Sequence, residues 1–112
     1  MSNNLRPHDE ALLRRAIEIA RRAVVHGNHP FGALLATPEG EVLLEAENTC
    51  RTEHDATGHA ERNLMTEASR RLTPEQLATA TLYTSTEPCA MCAGAVYWVG
   101  IARVVYGLSE RR

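Results

Sequence analysis

Apolar residues recur at helical spacing near the start of the chain. The residues on this stripe are Leu13, Ile17, Ala20 and Val24. Their spacing predicts an amphipathic helix over Asp9–Val25, with Gly27 just past its end. Two short apolar segments, 31–36 and 41–47, flank the sequence Thr37-Pro38-Glu39-Gly40, whose proline and glycine suit a tight reversal. These segments therefore predict a β-hairpin.

The second half of the chain alternates predicted helices and strands. The pattern predicts a helix over 59–72, a strand over 79–84, a helix over 89–98 and a strand over 102–107. Thr73-Pro74-Glu75-Gln76 resembles a capping box and predicts one short helical turn. This order favours a layered α/β fold with a mixed sheet, and the length favours a single domain over 1–112.

Composition narrows the functions that such a domain can have. The net charge is -2, and all 12 basic residues are arginine. The absence of lysine excludes a Schiff-base mechanism and a lysine-anchored phosphate loop, and the weak net charge favours a small neutral substrate over nucleic acid. The polar N-terminus does not resemble a signal peptide, and no apolar run approaches membrane-spanning length. We therefore expect a cytoplasmic protein with no membrane partner.

Two cysteines lie three residues apart in Pro88-Cys89-Ala90-Met91-Cys92. With the proline in the first helical turn, both sulfurs lie on one helix face, near the positive helix end that favours a thiolate. The spacing alone leaves a redox couple, half of a structural zinc site or two buried cysteines open. A structural zinc site needs four protein ligands, and Cys50 is the only other cysteine. A catalytic zinc site instead has three protein ligands and one open position, so the pair of cysteines with one further ligand favours a catalytic zinc ion.

The triplet His59-Ala60-Glu61 supplies an imidazole and a carboxylate at the start of the predicted second helix. Residues two apart on a helix do not share a face, so Glu61 is a poor co-ligand of a metal bound by His59 and can serve as an acid and base. The triplet is weak by itself, but with Pro-Cys-x-x-Cys it forms the known signature of zinc nucleobase deaminases. We predict a zinc ion held by His59, Cys89 and Cys92, with Glu61 catalytic.

The chain resembles the cytidine deaminase superfamily, especially its branch of guanine deaminases, fungal-type cytosine deaminases and tRNA-editing adenosine deaminases. The residues that carry the resemblance are Pro30-Phe31-Gly32-Ala33, Asn48, 55–61 and 82–98, and the likeness spans nearly the whole chain. It implies a three-layer α/β/α sandwich with a mixed central sheet. It also implies a homodimer or higher homo-oligomer that releases ammonia from a nucleobase or nucleoside.

The same resemblance implies four substrate contacts. The Asn48 side chain would bind the substrate, and the Ala60 amide would donate to the substrate carbonyl. The Glu87 carbonyl would face the amine, and Phe31 would help to wall the pocket. Two other interpretations stay open: Asn48 is also suited to end a strand, and Phe31, the only phenylalanine, is also suited to lie in the core.

Two features depart from the family pattern. Relatives in this branch continue beyond the last predicted strand, whereas this sequence ends at Arg112. We therefore expect a domain that lacks the C-terminal elements, with a sheet edge left for a partner subunit to cover. Gly58, before the histidine, differs from the residues expected there and would change the pocket wall.

Three functions are compatible with these motifs. The first is a zinc-dependent deaminase of a free nucleobase or nucleoside, guanine-like, guanosine-like or cytosine-like. The second is an editor of a flipped-out adenine or cytosine in nucleic acid, which predicts a basic groove that Arg51 and Arg62 would line; Glu53 and Asp55 dilute that charge. The third is an inactive scaffold stabilised by the metal.

Overall fold

The computed structural model describes residues 5–108, which form four helices and four strands. The helices are α1 (Asp9–Val25), α2 (Ala60–Arg71), α3 (Pro74–Thr79) and α4 (Ala90–Val99). The strands are β1 (Gly32–Ala36), β2 (Val42–Glu47), β3 (Thr81–Thr86) and β4 (Arg103–Leu108). Each predicted element is present in the predicted order. Among the helices of residues 5–108, none combines the length and the apolar character that a bilayer crossing requires.

The strands form one mixed sheet in the order β2-β1-β3-β4. Strand β1 runs antiparallel to both β2 and β3, whereas β4 runs parallel to β3. The predicted hairpin joins β1 to β2, and Gly40 adopts a φ of 95° in its turn. There the Glu41 amide donates to the Thr37 hydroxyl at 3.0 Å. The parallel pair is joined through α4, because parallel strands need a crossover connection.

The two faces of the sheet carry separate hydrophobic clusters. One cluster joins α1 to the sheet and contains Leu12, Ala16, Ile19, Leu34, Ala36 and Tyr83. The other joins α2 and α4 to the opposite face and includes Ala33, Leu35, Leu64, Met65, Leu82 and Val96. Neighbouring residues of β1 and β3 alternate between the clusters, since successive side chains of a strand point to opposite faces. The architecture is therefore the expected three-layer α/β/α sandwich.

Helix α1 lies very close to β1 at Gly32. A Cβ at this position would lie 2.6 Å from the carbonyl oxygen of Ala16 and 2.6 Å from the amide nitrogen of Ala20. Real Cβ atoms do not approach backbone atoms so closely. The absence of a side chain at Gly32 therefore lets the α1 layer reach the centre of the sheet.

A buried ion pair joins α1 to β3 and β4. The Asp9 side chain accepts hydrogen bonds from the Tyr83 hydroxyl, from the backbone amide of Arg6 at 2.7 Å and from the Arg103 guanidinium. The hydrogen bonds from Arg103 hold the pKa of Asp9 far below its usual range. Burial, reinforced by the hydrogen bond to Asp9, raises the pKa of Tyr83 to about 12. The network therefore stabilises a charged carboxylate and a neutral phenol.

Candidate functional site

The three predicted ligands meet where two neighbouring helices begin. His59 is the N-cap of α2, Cys89 is the N-cap of α4, and Cys92 lies in the first turn of α4. The Nδ1 atom of His59 lies 3.5 Å from the Sγ atom of Cys89 and 3.6 Å from that of Cys92. All three ligand atoms lie within 4.8 Å of one another.

These distances fit a tetrahedral zinc ion. Zn–N bonds of about 2.0–2.1 Å and Zn–S bonds of about 2.3 Å at tetrahedral angles separate the nitrogen and sulfur by roughly 3.6 Å. The two separations in the structure, 3.5 and 3.6 Å, agree with this value. One imidazole and two thiolates form a known catalytic zinc donor set, which leaves the fourth position for water or substrate. His59, Cys89 and Cys92 are therefore placed as possible zinc ligands.

The start of α4 differs slightly from the sequence prediction. The helix begins at Ala90, so Pro88 precedes the N-cap instead of lying in the first turn. Cys89 then occupies the N-cap position and Cys92 the third position of the helix. Side chains at these two positions meet at a helix start, as they do in a capping box, so the shift keeps the two sulfurs together.

Two opposing influences act on the Cys92 thiol: the helix N-terminus favours a thiolate, and burial favours the neutral thiol. Cys92 is completely buried, and burial raises its pKa to about 12, with a further contribution from the nearby charge of Glu61. Burial and the charge of Glu61 therefore favour the protonated thiol. Because only a deprotonated thiol coordinates zinc, metal binding at this site must release a proton.

Glu61 is held beside the ligands and under the protein surface. It lies in the first turn of α2 and is only 5% exposed. Its Oε2 atom accepts a hydrogen bond from the Thr84 hydroxyl at 2.9 Å. This hydrogen bond joins the helix to the central strand β3. The sequence pattern did not indicate Thr84, because the contact spans two layers of the fold.

A cavity of about 80 Å³ opens beside the ligand cluster. The residues that line it are Phe31, His59, Glu61, Thr86, Glu87 and Cys89. Phe31 is 37% exposed and belongs to neither core cluster. Two of the four predicted substrate contacts, Phe31 and Glu87, thus share a wall with Glu61 and two of the possible zinc ligands.

The other two predicted contacts, Asn48 and Ala60, are buried and are not among the residues that line the cavity. The side-chain carbonyl of Asn48 accepts a hydrogen bond from the backbone amide of Cys50 at 3.0 Å, and the backbone amide of Asn48 donates to the Phe31 carbonyl at 3.1 Å. Asn48 therefore orders the chain where β2 ends and connects it to the cavity wall. Ala60 is the first residue of α2, where backbone amides have no acceptor inside the helix.

Two asparagines that the sequence pattern did not indicate hold the loop before His59. The side-chain oxygen of Asn28 accepts from the amides of Arg51 and Thr52, at 3.0 and 3.1 Å. The side chain of Asn63 donates to the Thr49 hydroxyl at 2.9 Å. The Asn63 side chain also donates to the Gly58 carbonyl at 3.3 Å, so these bonds fix both ends of the loop that leads to the first ligand.

Gly58 serves the packing of the same loop. A Cβ at this position would lie 2.9 Å from the Thr49 hydroxyl and 3.1 Å from the Asp55 carbonyl oxygen. Gly58 is not among the residues that line the cavity. Its departure from the family pattern thus acts on the loop and not directly on the pocket wall.

Comparison with known proteins identifies the family. Residues 6–108 match the family described as "Cytidine and deoxycytidylate deaminase zinc-binding region". The chain belongs to this family. The deaminase domain is 42% identical over 109 residues to a probable cytosine deaminase of Schizosaccharomyces pombe, covering 97% of this chain and 65% of that protein. It is 40% identical over 99 residues to a tRNA-specific adenosine deaminase of Bacillus subtilis, covering 88% and 61%.

The fold of the deaminase domain also matches solved structures. The structure of guanine deaminase from Bacillus subtilis superposes with a TM-score of 0.82 at 36% sequence identity. That match covers 98% of this chain and 66% of the other chain. The domain thus spans between 61% and 66% of the length of these three relatives. It belongs to the cytidine deaminase superfamily, as its motifs predict.

Proposed function

We propose that this domain is a zinc-dependent hydrolytic deaminase of a free nucleobase or nucleoside, guanine-like, guanosine-like or cytosine-like. The observation that carries the proposal is the placement of Glu61. This buried carboxylate lines the same small cavity as His59 and Cys89, so an acid and base lies next to a possible metal site with an open position. The relatives that are named cytosine deaminase and guanine deaminase support the same reaction class.

The reaction adds water to the carbon that bears the amine, so one C–O bond forms and one C–N bond breaks. Zinc, when bound, supplies a Lewis acid that lowers the pKa of a water molecule. The carboxylate of Glu61 takes a proton from the attacking water and delivers it to the ring nitrogen. Glu61 then carries the second proton to the departing amine, which leaves as ammonia. The ring keeps the oxygen as a carbonyl.

Other groups of the chain would orient the ring. The Ala60 amide at the start of α2 would donate to the substrate carbonyl, and the Glu87 carbonyl would accept from the amine. Phe31 would pack against the base from the cavity wall. Asn48 would complete the pocket from the end of β2. We assign these roles by family resemblance, supported by the positions of Phe31 and Glu87 on the lining.

The size of the cavity supports a substrate that enters with one edge. Pockets that enclose a drug-sized ligand measure roughly 300–1,000 Å³. The cavity beside Glu61 measures about 80 Å³ and is therefore smaller than a pocket that encloses a whole nucleoside. A purine and a pyrimidine both present an amine-bearing carbon on such an edge. The proposal therefore covers both ring types.

Ammonia release tests the proposed function. Zinc-loaded protein is incubated with guanine, guanosine, cytosine, cytidine and adenosine in separate reactions, and turnover is expected with at least one of the first four. Glu61→Gln should lower kcat by roughly 10²- to 10⁴-fold, the usual contribution of general acid–base catalysis. Glu67→Gln is the matched control, because Glu67 lies on the same helix with its side chain 48% exposed and pairs with Arg70.

Two results would contradict the proposal. One is full zinc occupancy without ammonia release from any of the five compounds. The other is equal turnover by the Glu61→Gln and Glu67→Gln proteins. An inactive scaffold would instead show unchanged zinc content and melting temperature in Glu61→Gln and no turnover to lose.

Editing of nucleic acid is the second candidate, and the similarity to tRNA-specific adenosine deaminases favours it. The charge of the surface near the site gives nucleic-acid binding less support. Arg62 binds Asp55 at 3.3 Å, so part of the predicted basic groove is neutralised. Deamination of adenine or cytosine in a tRNA or single-stranded DNA, with free bases inert, would replace the first proposal with this one.

The proposed assembly is a homodimer or higher homo-oligomer, and the proposed location is the cytoplasm. Sedimentation of the purified protein measures the oligomeric state, and a stable monomer would contradict the proposed assembly. The location stays a prediction of the sequence.

A further inference from the structure

Thr84 occupies a position that links the central sheet to the proposed catalytic carboxylate. It lies on β3 and is 1% exposed. Its hydroxyl donates to the Oε2 atom of Glu61 at 2.9 Å, across the boundary between the sheet and the helix layer. A buried hydroxyl must find a hydrogen-bond partner, and here that partner is a side chain of the reaction centre.

The surroundings of Thr84 leave room for the carboxylate to lie against the sheet. Its direct neighbour across the antiparallel pair is Ala33 on β1, which is completely buried. Directly opposite residues share one face of a sheet, so Ala33 presents a methyl group next to the Thr84 hydroxyl. This methyl group is small and cannot hydrogen-bond. Of these two opposite residues, only Thr84 can hydrogen-bond to the carboxylate.

We propose that Thr84 is a positioning residue, which fixes the Glu61 carboxylate so that Oε2 binds the strand and Oε1 transfers protons in the cavity. The inference rests on the proposed function and deepens it. Glu61 has three rotatable side-chain bonds, and the Thr84 hydroxyl selects one arrangement before the substrate arrives. Proton transfer needs the carboxylate oxygen within hydrogen-bond reach of the water and the ring nitrogen, so the orientation of Glu61 governs the chemical step.

Kinetics of Thr84 variants test this role. Thr84→Val replaces the hydroxyl by a methyl group of similar shape, and we expect kcat to fall roughly 10- to 100-fold, as misplacement of a catalytic group does. KM should stay within about two-fold, because Thr84 does not line the cavity where the substrate binds. Thr84→Ser keeps the hydroxyl and should restore most of the lost kcat. Zinc content should equal that of the wild type in both variants.

Thr66→Val is the matched control. Thr66 lies on α2, the helix that carries Glu61, and its hydroxyl donates to the Arg62 carbonyl at 3.1 Å. The same chemical change there should leave kcat unchanged. A wild-type kcat in Thr84→Val, or equal losses in Thr84→Val and Thr84→Ser, would overturn the assignment. If Thr84→Val does not fold, Thr84→Ala replaces it under the same criteria.

A second readout needs no turnover. Crystal structures of wild type and Thr84→Val should show the Glu61 carboxylate turned away from its wild-type orientation in the variant. An unchanged carboxylate would overturn the positioning role even in an inactive protein. Absence of ammonia release by the wild type would instead count against the proposed function, so the two failures are distinguishable.

Discussion

The ion pair between Asp9 and Arg103 gives the sharpest stability prediction. Asp9→Asn keeps the size of the side chain but removes the negative charge of the carboxylate. This carboxylate accepts hydrogen bonds from the Arg103 guanidinium and the Tyr83 hydroxyl. Asp9 is 4% exposed, so water cannot replace the lost interaction. We therefore expect a large loss of stability from a substitution on the face of the sheet opposite to the cavity.

The magnitude follows from the burial of the two partners. Breaking a buried ion pair costs about 3–5 kcal/mol. The Arg103 side chain is 21% exposed, which favours the lower end, about 3 kcal/mol. Unfolding entropy is roughly 2.1 cal/mol/K per residue, so over the 112 residues this loss lowers the melting temperature by about 13 °C.

Thermal unfolding followed by circular dichroism at pH 7 measures this difference. Glu10→Gln is the matched control, because Glu10 is the next residue on α1 and its side chain is 78% exposed in a pair with Arg14. A surface pair contributes little, so the control should melt within about 3 °C of wild type. If Asp9→Asn and Glu10→Gln melt at the same temperature, the reasoning on the buried ion pair is refuted.

The same variant has a defined pH dependence. The pKa of Asp9 lies below its ordinary value of 3.8 in the folded protein because Arg103 donates to the carboxylate. A depressed folded-state pKa gives stability that is complete above the unfolded-state value and is lost as the pH falls below it. The difference in melting temperature between wild type and Asp9→Asn should thus be full at pH 7 and shrink below about pH 4. A constant difference down to pH 2 contradicts this.

Two further predictions concern glycine packing and the metal. Gly94→Ala should raise the unfolding free energy by about 0.5–1 kcal/mol in urea titrations, since a Cβ there meets nothing within 4 Å inside α4. Gly32→Ala should lower it by about 1–3 kcal/mol or more, and the reverse order would contradict the packing. Zinc should raise the melting temperature of wild type relative to chelated protein, because it binds the folded state. Cys92→Ala should abolish this difference; persistence would place zinc elsewhere.

The predicted elements depended on local patterns, and local patterns also explain the one clear boundary error. The β-branched Thr79 suggested a strand, but the capping box at Thr73 and Gln76 starts α3 first. Thr79 then closes that helix, and its hydroxyl donates to the Glu75 carbonyl at 3.2 Å. Strand β3 therefore begins at Thr81. The capping box of α3 here outweighed the intrinsic preference of Thr79 for a strand.

The possible zinc ligands were predictable because the chemistry restricts both residue type and spacing. His59, Cys89 and Cys92 belong to short motifs that are visible without any tertiary information. Thr84 lies within the segment 82–98 that carries the resemblance, but nothing local to that segment shows its contact with Glu61, 23 positions away. The Asp9 network likewise spans 74 and 94 positions. Periodicity predicted that α1 is a helix but not its buried face, because Ile17 and Val24 of the predicted stripe are exposed whereas Leu12, Ile19 and Ala23 are buried. It also does not indicate which polar groups meet across layers.

Tyr83 and Thr84 are consecutive on β3, yet they act on opposite sides of the sheet: the phenol reaches Asp9 and the hydroxyl reaches Glu61. A slip of this strand by one residue would exchange the two faces, which would direct an aromatic ring toward the cavity and leave a carboxylate in each outer layer without its hydroxyl donor. A slip by one residue would therefore break one buried hydrogen bond on each side of the sheet. The central strand is therefore aligned by polar contacts as well as by its apolar residues, and the register that buries the apolar side chains also brings Thr84 to Glu61.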